Sequence, residues 1–162
     1  MALEFAANSL SIRWGDGGFG RDDWLFVYRL IRKYRVQSVL EYGCGLSTEL
    51  MTAIGLRVLS VETRGHFANL YKDFNVQHCH YDKYPQLAEK FDLAFVDGPG
   101  EKERPDRSKA IIHAKQYCKY LYLHDYDLYQ FGYLEGDPDW VQCRPYGKYH
   151  NHFFIRRDTL IA

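Results

Sequence analysis

The sequence predicts an α/β fold: a mostly parallel sheet with helices on both faces, closed by an antiparallel hairpin. Three observations carry that prediction. Apolar, β-branched runs recur and end in an acid, with Val36–Leu40 before Glu41, Arg57–Val61 before Glu62 and Phe91–Val96 before Asp97. Segments with helical spacing stand between these runs. Near the end, Trp140–Arg144 and His152–Arg157 read as two strands joined by the turn-rich stretch 145–151. Strands that alternate with helices make βαβ units, and those put the strands in parallel.

Along the chain, Leu10, Ile12 and Trp14 alternate like a short strand, and Gly15–Gly20 is too rich in glycine for regular structure. This loop, which carries Trp14 and Phe19, is a candidate cover for a ligand mouth or an ordinary entry loop. Asp22 or Asp23 can cap a helix whose apolar positions Leu25, Phe26, Tyr28, Leu30 and Ile31 repeat at helical spacing. Val36–Leu40 is the first strand, and Gly43 and Gly45 make a tight turn into a helix. Arg57–Glu62 is the second strand, followed by a helix over 65–74 and a third strand over 76–80. Pro85 suits the first turn of a short helix over 85–90. Phe91–Val96 is the fourth strand, stopped by Asp97-Gly98-Pro99. A charged loop over 101–106 leads to a helix over 107–118, a fifth strand over 120–124 and a short helical segment over 126–133. The organisation is one domain over 1–162: an N-terminal loop and helix (1–35), βα units (36–135) and a C-terminal hairpin (136–162).

Composition narrows the function classes. The 162 residues are enough for a real core, and the apolar fraction of 46% is ordinary. Lys plus Arg equals Asp plus Glu at 21 each, which argues against a strongly basic nucleic-acid face. No apolar run approaches the roughly 20 residues needed to cross a bilayer, so no membrane partner is expected. Cys44, Cys79, Cys118 and Cys143 form no Cys-x-x-Cys pair and read as reduced thiols of a cytoplasmic protein.

In open α/β sheets ligands bind outside the carboxyl ends of the strands. The residues to weigh are therefore Glu41 to Gly45, Glu62, Tyr81 and Asp82, Asp97, and His124 to Asp127. The dinucleotide pattern Gly-x-Gly-x-x-Gly is incomplete, because Thr48 stands at the third glycine position. Glu41 would also lie close to a pyrophosphate on the helix N-terminus, a repulsion of several kcal/mol at an effective dielectric of about 20. The ligand should instead bring a cation near Glu41, as S-adenosylmethionine does with its amino group and sulfonium. Glu62 suits two ribose hydroxyls, a feature that NAD enzymes share.

Glu41-Tyr-Gly-Cys-Gly-Leu-Ser-Thr48 resembles the first motif, [DE]-x-G-x-G, of class I S-adenosylmethionine-dependent methyltransferases. Val61-Glu62 resembles that family's ribose-binding acid, and Phe91–Pro99 its fourth-strand motif in the O-methyltransferase branches. The resemblance runs from about residue 22 to the hairpin. It implies a Rossmann-like, doubly wound sheet of seven strands. The implied cofactor-binding residues are Glu41, Gly43, Gly45, Ser47, Thr48, Glu62, Tyr81, Asp82 and Asp97, of which Asp82 lies near the adenine or merely caps a turn. A looser resemblance covers the second half. Asp97-Gly-Pro99, Arg107 with Ala110 and Ile111, Leu123-His-Asp-Tyr-Asp127 and His152-Phe-Phe-Ile155 are similar to the glucuronoxylan O-methyltransferase group, with Gly98 where that group has Ala. It implies a sugar hydroxyl as the acceptor.

Methyl transfer needs in-line positioning and removal of the acceptor proton. His124 is the candidate general base, oriented by Asp125 or Asp127, with Asp97 beside the sulfonium. Alternatively Asp97 and Asp125 hold a divalent cation, as in the catechol-type enzymes, although Tyr126 stands where those have Asn. Plainer readings compete with each of these. His124 can be structural, and the pairs His78/His80 and His150/His152 lack a third ligand nearby in sequence. Arg104, Arg107 and Lys109 read as a solvated helix start, and the tyrosines from Tyr117 to Tyr149 as core and rim. Two other functions remain: a methyltransferase-like module acting as a partner or regulatory subunit without catalysis, and an NAD-dependent oxidoreductase, which Glu41 and Thr48 oppose.

Overall fold

The structure is a computed structural model that describes residues 19–99, 107–125, 134, 136–143 and 151–160. The expected strand at 10–14, most of the glycine-rich loop, the charged loop at 101–106, the helical segment at 126–133 and the hairpin turn lie outside these residues, as do Asp127 and His150.

The chain opens with α1 (Arg21–Lys33), whose buried residues Trp24, Val27, Leu30 and Ile31 form one stripe at helical spacing. Asp23 is buried on the same helix. Next come β1 (Ser38–Tyr42), α2 (Leu46–Ala53), β2 (Arg57–Glu62), α3 (Gly65–Leu70) and β3 (Val76–His78). The chain continues with β4 (Phe91–Val96), α4 (Ser108–Tyr117), β5 (Cys118–Leu123), β6 (Trp140–Cys143) and β7 (His152–Arg156), and ends in a 3-10 turn, Arg157–Leu160. The strands make one seven-stranded sheet in the order β3-β2-β1-β4-β5-β7-β6. Pairing is parallel from β3 to β5, while β7 runs antiparallel to both β5 and β6. The predicted fold class is therefore the observed one.

Both faces of the sheet are covered. On one, Ala110, Ile111 and Ala114 of α4 pack on Leu40, Ala94, Leu121 and Phe154. On the other, Trp24, Val27 and Ile31 of α1 with Leu50 and Met51 of α2 pack on Val39, Leu93, Phe95 and Tyr122. Burying a side chain of this size stabilises the fold by about 1.5–3 kcal/mol before entropy is counted. Among the described residues no helix is long and apolar enough to cross a membrane.

Several expectations need correction. No helix forms over 85–90: the Pro85 carbonyl, which a helix would use, accepts from His113 Nε2 of α4 at 2.7 Å, and the Leu87 N–H donates to the Tyr117 hydroxyl at 3.3 Å. The helix after β2 stops at Leu70 instead of Phe74: it buries no residue, and the chain beyond it bonds as tighter turns, Lys72 N–H to the Asn69 carbonyl at 3.4 Å and Phe74 N–H to the Tyr71 carbonyl at 2.9 Å. β3 ends at His78, opposite Glu62, the last residue of its one partner strand among the described residues. β5 starts directly at Cys118, so His124 lies just past the strand, with its N–H on the Val96 carbonyl at 3.0 Å. β5 itself lies between β4 and β7. The four thiols are all free, with Cys44 and Cys118 buried.

Candidate functional site

The glycine turn sits where β1 leaves the sheet, and it is closed from beneath by Glu41. The parallel register sets Glu41 opposite Ser60 of β2. Ser47 and Thr48 of α2 each donate a hydroxyl hydrogen bond to Glu41 at 2.5 Å, and Ser60 donates a third. Thr48 Oγ1 in turn accepts the Gly45 N–H at 2.9 Å, which satisfies a free donor at the helix start. Glu41 is fully buried; burial pushes its carboxyl up to about 7 despite the Ser47, Ser60 and Thr48 hydroxyls, and Asp97 adds a like charge. Glu41, Ser47 and Thr48 therefore brace one another inside the turn. Glu41 thus lies beneath the surface of the turn, with its two oxygens occupied by hydroxyls of its own chain. Ser60 was not singled out from the sequence, although a serine opposite a strand acid is a readable signal.

Gly43 has a φ of +91°, a region that other residues rarely adopt. A Cβ on Gly98 would stand 2.9 Å from the Gly43 Cα and 3.0 Å from the Tyr42 carbonyl oxygen, so the two turns meet backbone to backbone. The glycine that departs from the glucuronoxylan pattern is thus required by contact with the first turn. At Gly45, by contrast, a Cβ would meet nothing within 4 Å among the described residues. Glu62 borders the same turn: Oε2 accepts the Cys44 N–H at 3.1 Å and Oε1 the Arg64 N–H at 2.8 Å. Arg64 Nε lies 3.6 Å from Glu62 Oε1 and, buried, has no hydrogen-bond partner among the described residues. A carboxylate has about four acceptor positions. Glu62 Oε2 also faces the Cys44 thiol at 3.5 Å and the side chain is 1% exposed, so most of this capacity is already used by its own chain; the buried Arg64 Nε is the unmatched donor beside the turn. Tyr81 and Asp82 follow β3 at the same end of the sheet; Asp82 pairs with His80, and Lys109 lies 5.6 Å from the Tyr81 ring centroid. No contact among the described residues joins either to Glu41, Glu62 or Asp97.

The second half of the site lies at the ends of β4 and β5. The Asp97 N–H donates to the Tyr42 carbonyl at 3.0 Å, which ties the fourth-strand acid to the first turn. His124 is buried. Its Nδ1 lies 2.8 Å from Asp97 Oδ1 and 3.2 Å from Asp125 Oδ2, and its Nε2 lies 3.7 Å from Asp23 Oδ2. Burial disfavours the imidazolium, but Asp125, Asp23 and Asp97 outweigh it and push the pKa up to about 12. The surrounding carboxylates thus favour the protonated imidazole, and the His124 Nδ1 itself has no well-aligned hydrogen-bond partner among the described residues. Asp97, 26% exposed, and Asp125, 33% exposed, present the accessible oxygens. Donor atoms of Asp97, His124 and Asp125 all lie within 4.8 Å of one another, and this mixed carboxylate and imidazole set fits a transition-metal ion or zinc by its chemistry.

Arg107 is not a solvated helix start. It is 2% exposed, and its guanidinium donates to three carbonyls: Pro99 at 3.0 Å, His124 at 2.8 Å and Asp97 at 3.0 Å. One planar fork thus fastens the ends of β4 and β5 together. Sequence reasoning had Asp23 only as a helix cap and passed over Asn151; both reach His124 or Asp125 from distant parts of the chain. His78 and His152 are bonded elsewhere, to the Thr63 carbonyl at 3.3 Å and to Gln142 at 2.5 Å. Phe19 is buried edge-on against Phe95 and His124, so this part of the glycine-rich loop lies in the core.

The fold is similar to that of solved methyltransferase structures. The chain has the fold of these enzymes. It is similar to a protein assigned as a caffeoyl-CoA O-methyltransferase from Staphylococcus aureus, with 13% identity over 96% of this chain and 90% of that one and a TM-score of 0.66. An O-methyltransferase from Bacillus cereus, in complex with S-adenosylhomocysteine, matches with 14% identity over 96% and 88% of the two chains and a TM-score of 0.58. The N-methyltransferase NodS from Bradyrhizobium japonicum matches with 17% identity over 84% and 95% and a TM-score of 0.52. No protein-family model and no curated protein sequence matches the chain.

Proposed function

We propose that the protein is an S-adenosylmethionine-dependent O-methyltransferase whose acceptor is a hydroxyl of a sugar or other small molecule. The observation that carries this reading is the juxtaposition of two half-sites. The open glycine turn with Glu62 is joined to the Asp97–His124–Asp125 cluster through the Asp97 N–H to Tyr42 carbonyl bond and the Gly43–Gly98 contact. The solved O-methyltransferases of the same fold support the reaction class. The sugar acceptor rests on the glucuronoxylan resemblance alone.

When bound, the cofactor supplies an electrophilic methyl group on a cationic sulfonium. Gly43 and Gly45 leave room for it, Glu62 receives ribose hydroxyls, and Tyr81 and Asp82 flank the adenosine side. Glu41 contributes negative field from below the turn, and Asp97 contributes it from the side. The chain's own chemistry is then positioning plus proton removal. A partly exposed oxygen of Asp97 or Asp125 accepts the hydroxyl proton and releases it to solvent, while the His124 imidazolium, already protonated, stands beside the two carboxylates. A second reading has its own observation: the three donor atoms within 4.8 Å would hold a divalent cation that lowers the acceptor pKa.

Calorimetric titration with S-adenosylhomocysteine, S-adenosylmethionine and NAD tests the cofactor. Binding of the first two without NAD is expected, and tight NAD binding alone would sink the reading. A screen of hydroxyl acceptors with labelled cofactor, with and without chelator, then separates the metal reading from the metal-free one. Asp97→Asn and His124→Ala should abolish transfer and leave the homocysteine-cofactor affinity nearly intact. A protein that binds cofactor and methylates nothing in that screen is the non-catalytic module instead.

A further inference from the structure

The Asp97–His124–Asp125 cluster is held from behind by two residues that belong to neither half-site. Asn151, which immediately precedes β7, is 4% exposed and uses both ends of its amide. Its Nδ2 donates to Asp23 Oδ1 at 2.6 Å, and its Oδ1 accepts the Asp125 N–H at 2.8 Å. Asp23, 6% exposed on α1, is engaged at its other oxygen as well: Oδ2 accepts the Gly20 N–H at 2.9 Å and lies 3.7 Å from His124 Nε2. One amide thus ties the helix before the sheet to the residue after β5, across 128 positions of sequence for the Asp23 contact.

Two features show that this bridge shapes the cluster and does more than fill space. Asp125 has a φ of +54°, in the left-handed region that non-glycine residues adopt uncommonly. The Asn151 carbonyl accepts the Asp125 N–H, and in this conformation the Asp125 carboxylate reaches back to His124 Nδ1 at 3.2 Å. The His124 ring is also bounded on its other sides. Asp23 faces Nε2, and the Phe19 ring stands edge-on at 6.0 Å between centroids. Among the described residues the Nδ1 edge is the one that faces Asp97 and Asp125, at 2.8 and 3.2 Å. Burying a carboxylate and an amide together is costly unless every polar atom is matched, and an apolar pair would pack α1 against β7 as well.

We infer that Asp23 and Asn151 are positioning residues for methyl transfer, fixing which nitrogen of His124 faces the acceptor side and setting the conformation of Asp125. The inference rests on the proposed methyltransferase reading for its function, and its geometry can be tested separately. The experiment uses the full chain with ¹⁵N-labelled histidine, in wild type, Asn151→Ala and Asp23→Asn. Long-range ring correlations report the protonation pattern of His124, and solvent exchange of its Nε2 proton reports whether that edge is held. In wild type the Nε2 proton should exchange slowly; in both variants exchange should quicken about tenfold or more. Asn151→Ala should also shift the Asp125 amide, while S-adenosylhomocysteine affinity stays within about threefold in both. Asp23→Asn keeps the shape of the side chain and decides the matter if Asn151→Ala does not fold. Lower melting temperatures with unchanged His124 ring signals would overturn the inference, since a merely structural clamp would behave that way. Failure of wild type to bind S-adenosylhomocysteine would overturn the cofactor reading, and the ring signals would still decide the bridge.

Discussion

Replacing Glu41 by Gln tests the structure of the glycine turn most directly. Glu41 is fully buried, and burial pushes its carboxyl from the ordinary 4.5 up to about 7 against the pull of the Ser47, Ser60 and Thr48 hydroxyls. Between those two pH values the folded protein holds a proton that the unfolded chain releases, so this group makes stability fall as pH rises through the window and adds no further change above it. One pK unit corresponds to ~1.4 kcal/mol, so the ionised carboxylate costs about 3 kcal/mol above neutrality. The Glu41→Gln amide has the same shape and never ionises. Its oxygen can accept from Thr48 and Ser60 while its NH₂ donates to Ser47, so no hydroxyl is stranded. Urea unfolding of both proteins from about pH 5 to about pH 8 measures the effect. The two should be close at the acid end, and the variant should gain about 3 kcal/mol relative to wild type at the alkaline end. His124, with its raised pKa, also loses stabilisation as pH rises above its unfolded value, but it is common to both proteins and cancels in the difference. Parallel curves, with one constant offset across the range, would refute the reasoning. They would mean that Glu41 is ionised throughout and faces a partner other than the three hydroxyls.

Two further substitutions probe the joint between the half-sites. Gly98→Ala introduces a Cβ 2.9 Å from the Gly43 Cα, a backbone contact that cannot yield without moving a strand end, so it should cost about 1–3 kcal/mol in chemical denaturation and weaken S-adenosylhomocysteine binding. Unchanged stability and affinity would show that the two turns are not in contact. Arg107→Lys keeps the charge but cannot reach the Pro99, His124 and Asp97 carbonyls as one planar fork; leaving buried carbonyls unmatched should lower stability by about 2–3 kcal/mol. A variant as stable as wild type would mean that the guanidinium is not the fastener of β4 to β5.

The sheet order was legible because strand ends, glycine turns and the closing hairpin are local signals, and each survived as an element. The positions of Glu41, Glu62, Asp97 and His124 at one end of the sheet followed from the same pattern. What each acid does there was not legible, because it depends on which hydroxyls and amides other segments bring. Glu41 and Asp97 look alike in sequence, each closing an apolar strand before a glycine. In the structure Ser47, Thr48 and Ser60 close over Glu41, while Asp97 keeps a quarter of its side chain open beside His124. The Ser60 partner could have been found by laying β1 and β2 in parallel register. Asn151 had no local signal at all, since its partners are 128 and 26 positions away. The same difference divides the work at the site. Acids sealed by their own chain's hydroxyls can set a field and hold a turn but cannot touch a substrate proton. On the proposed function the partly exposed acids, Asp97 and Asp125, are the ones within reach of an acceptor hydroxyl, so a search for the acceptor should begin there.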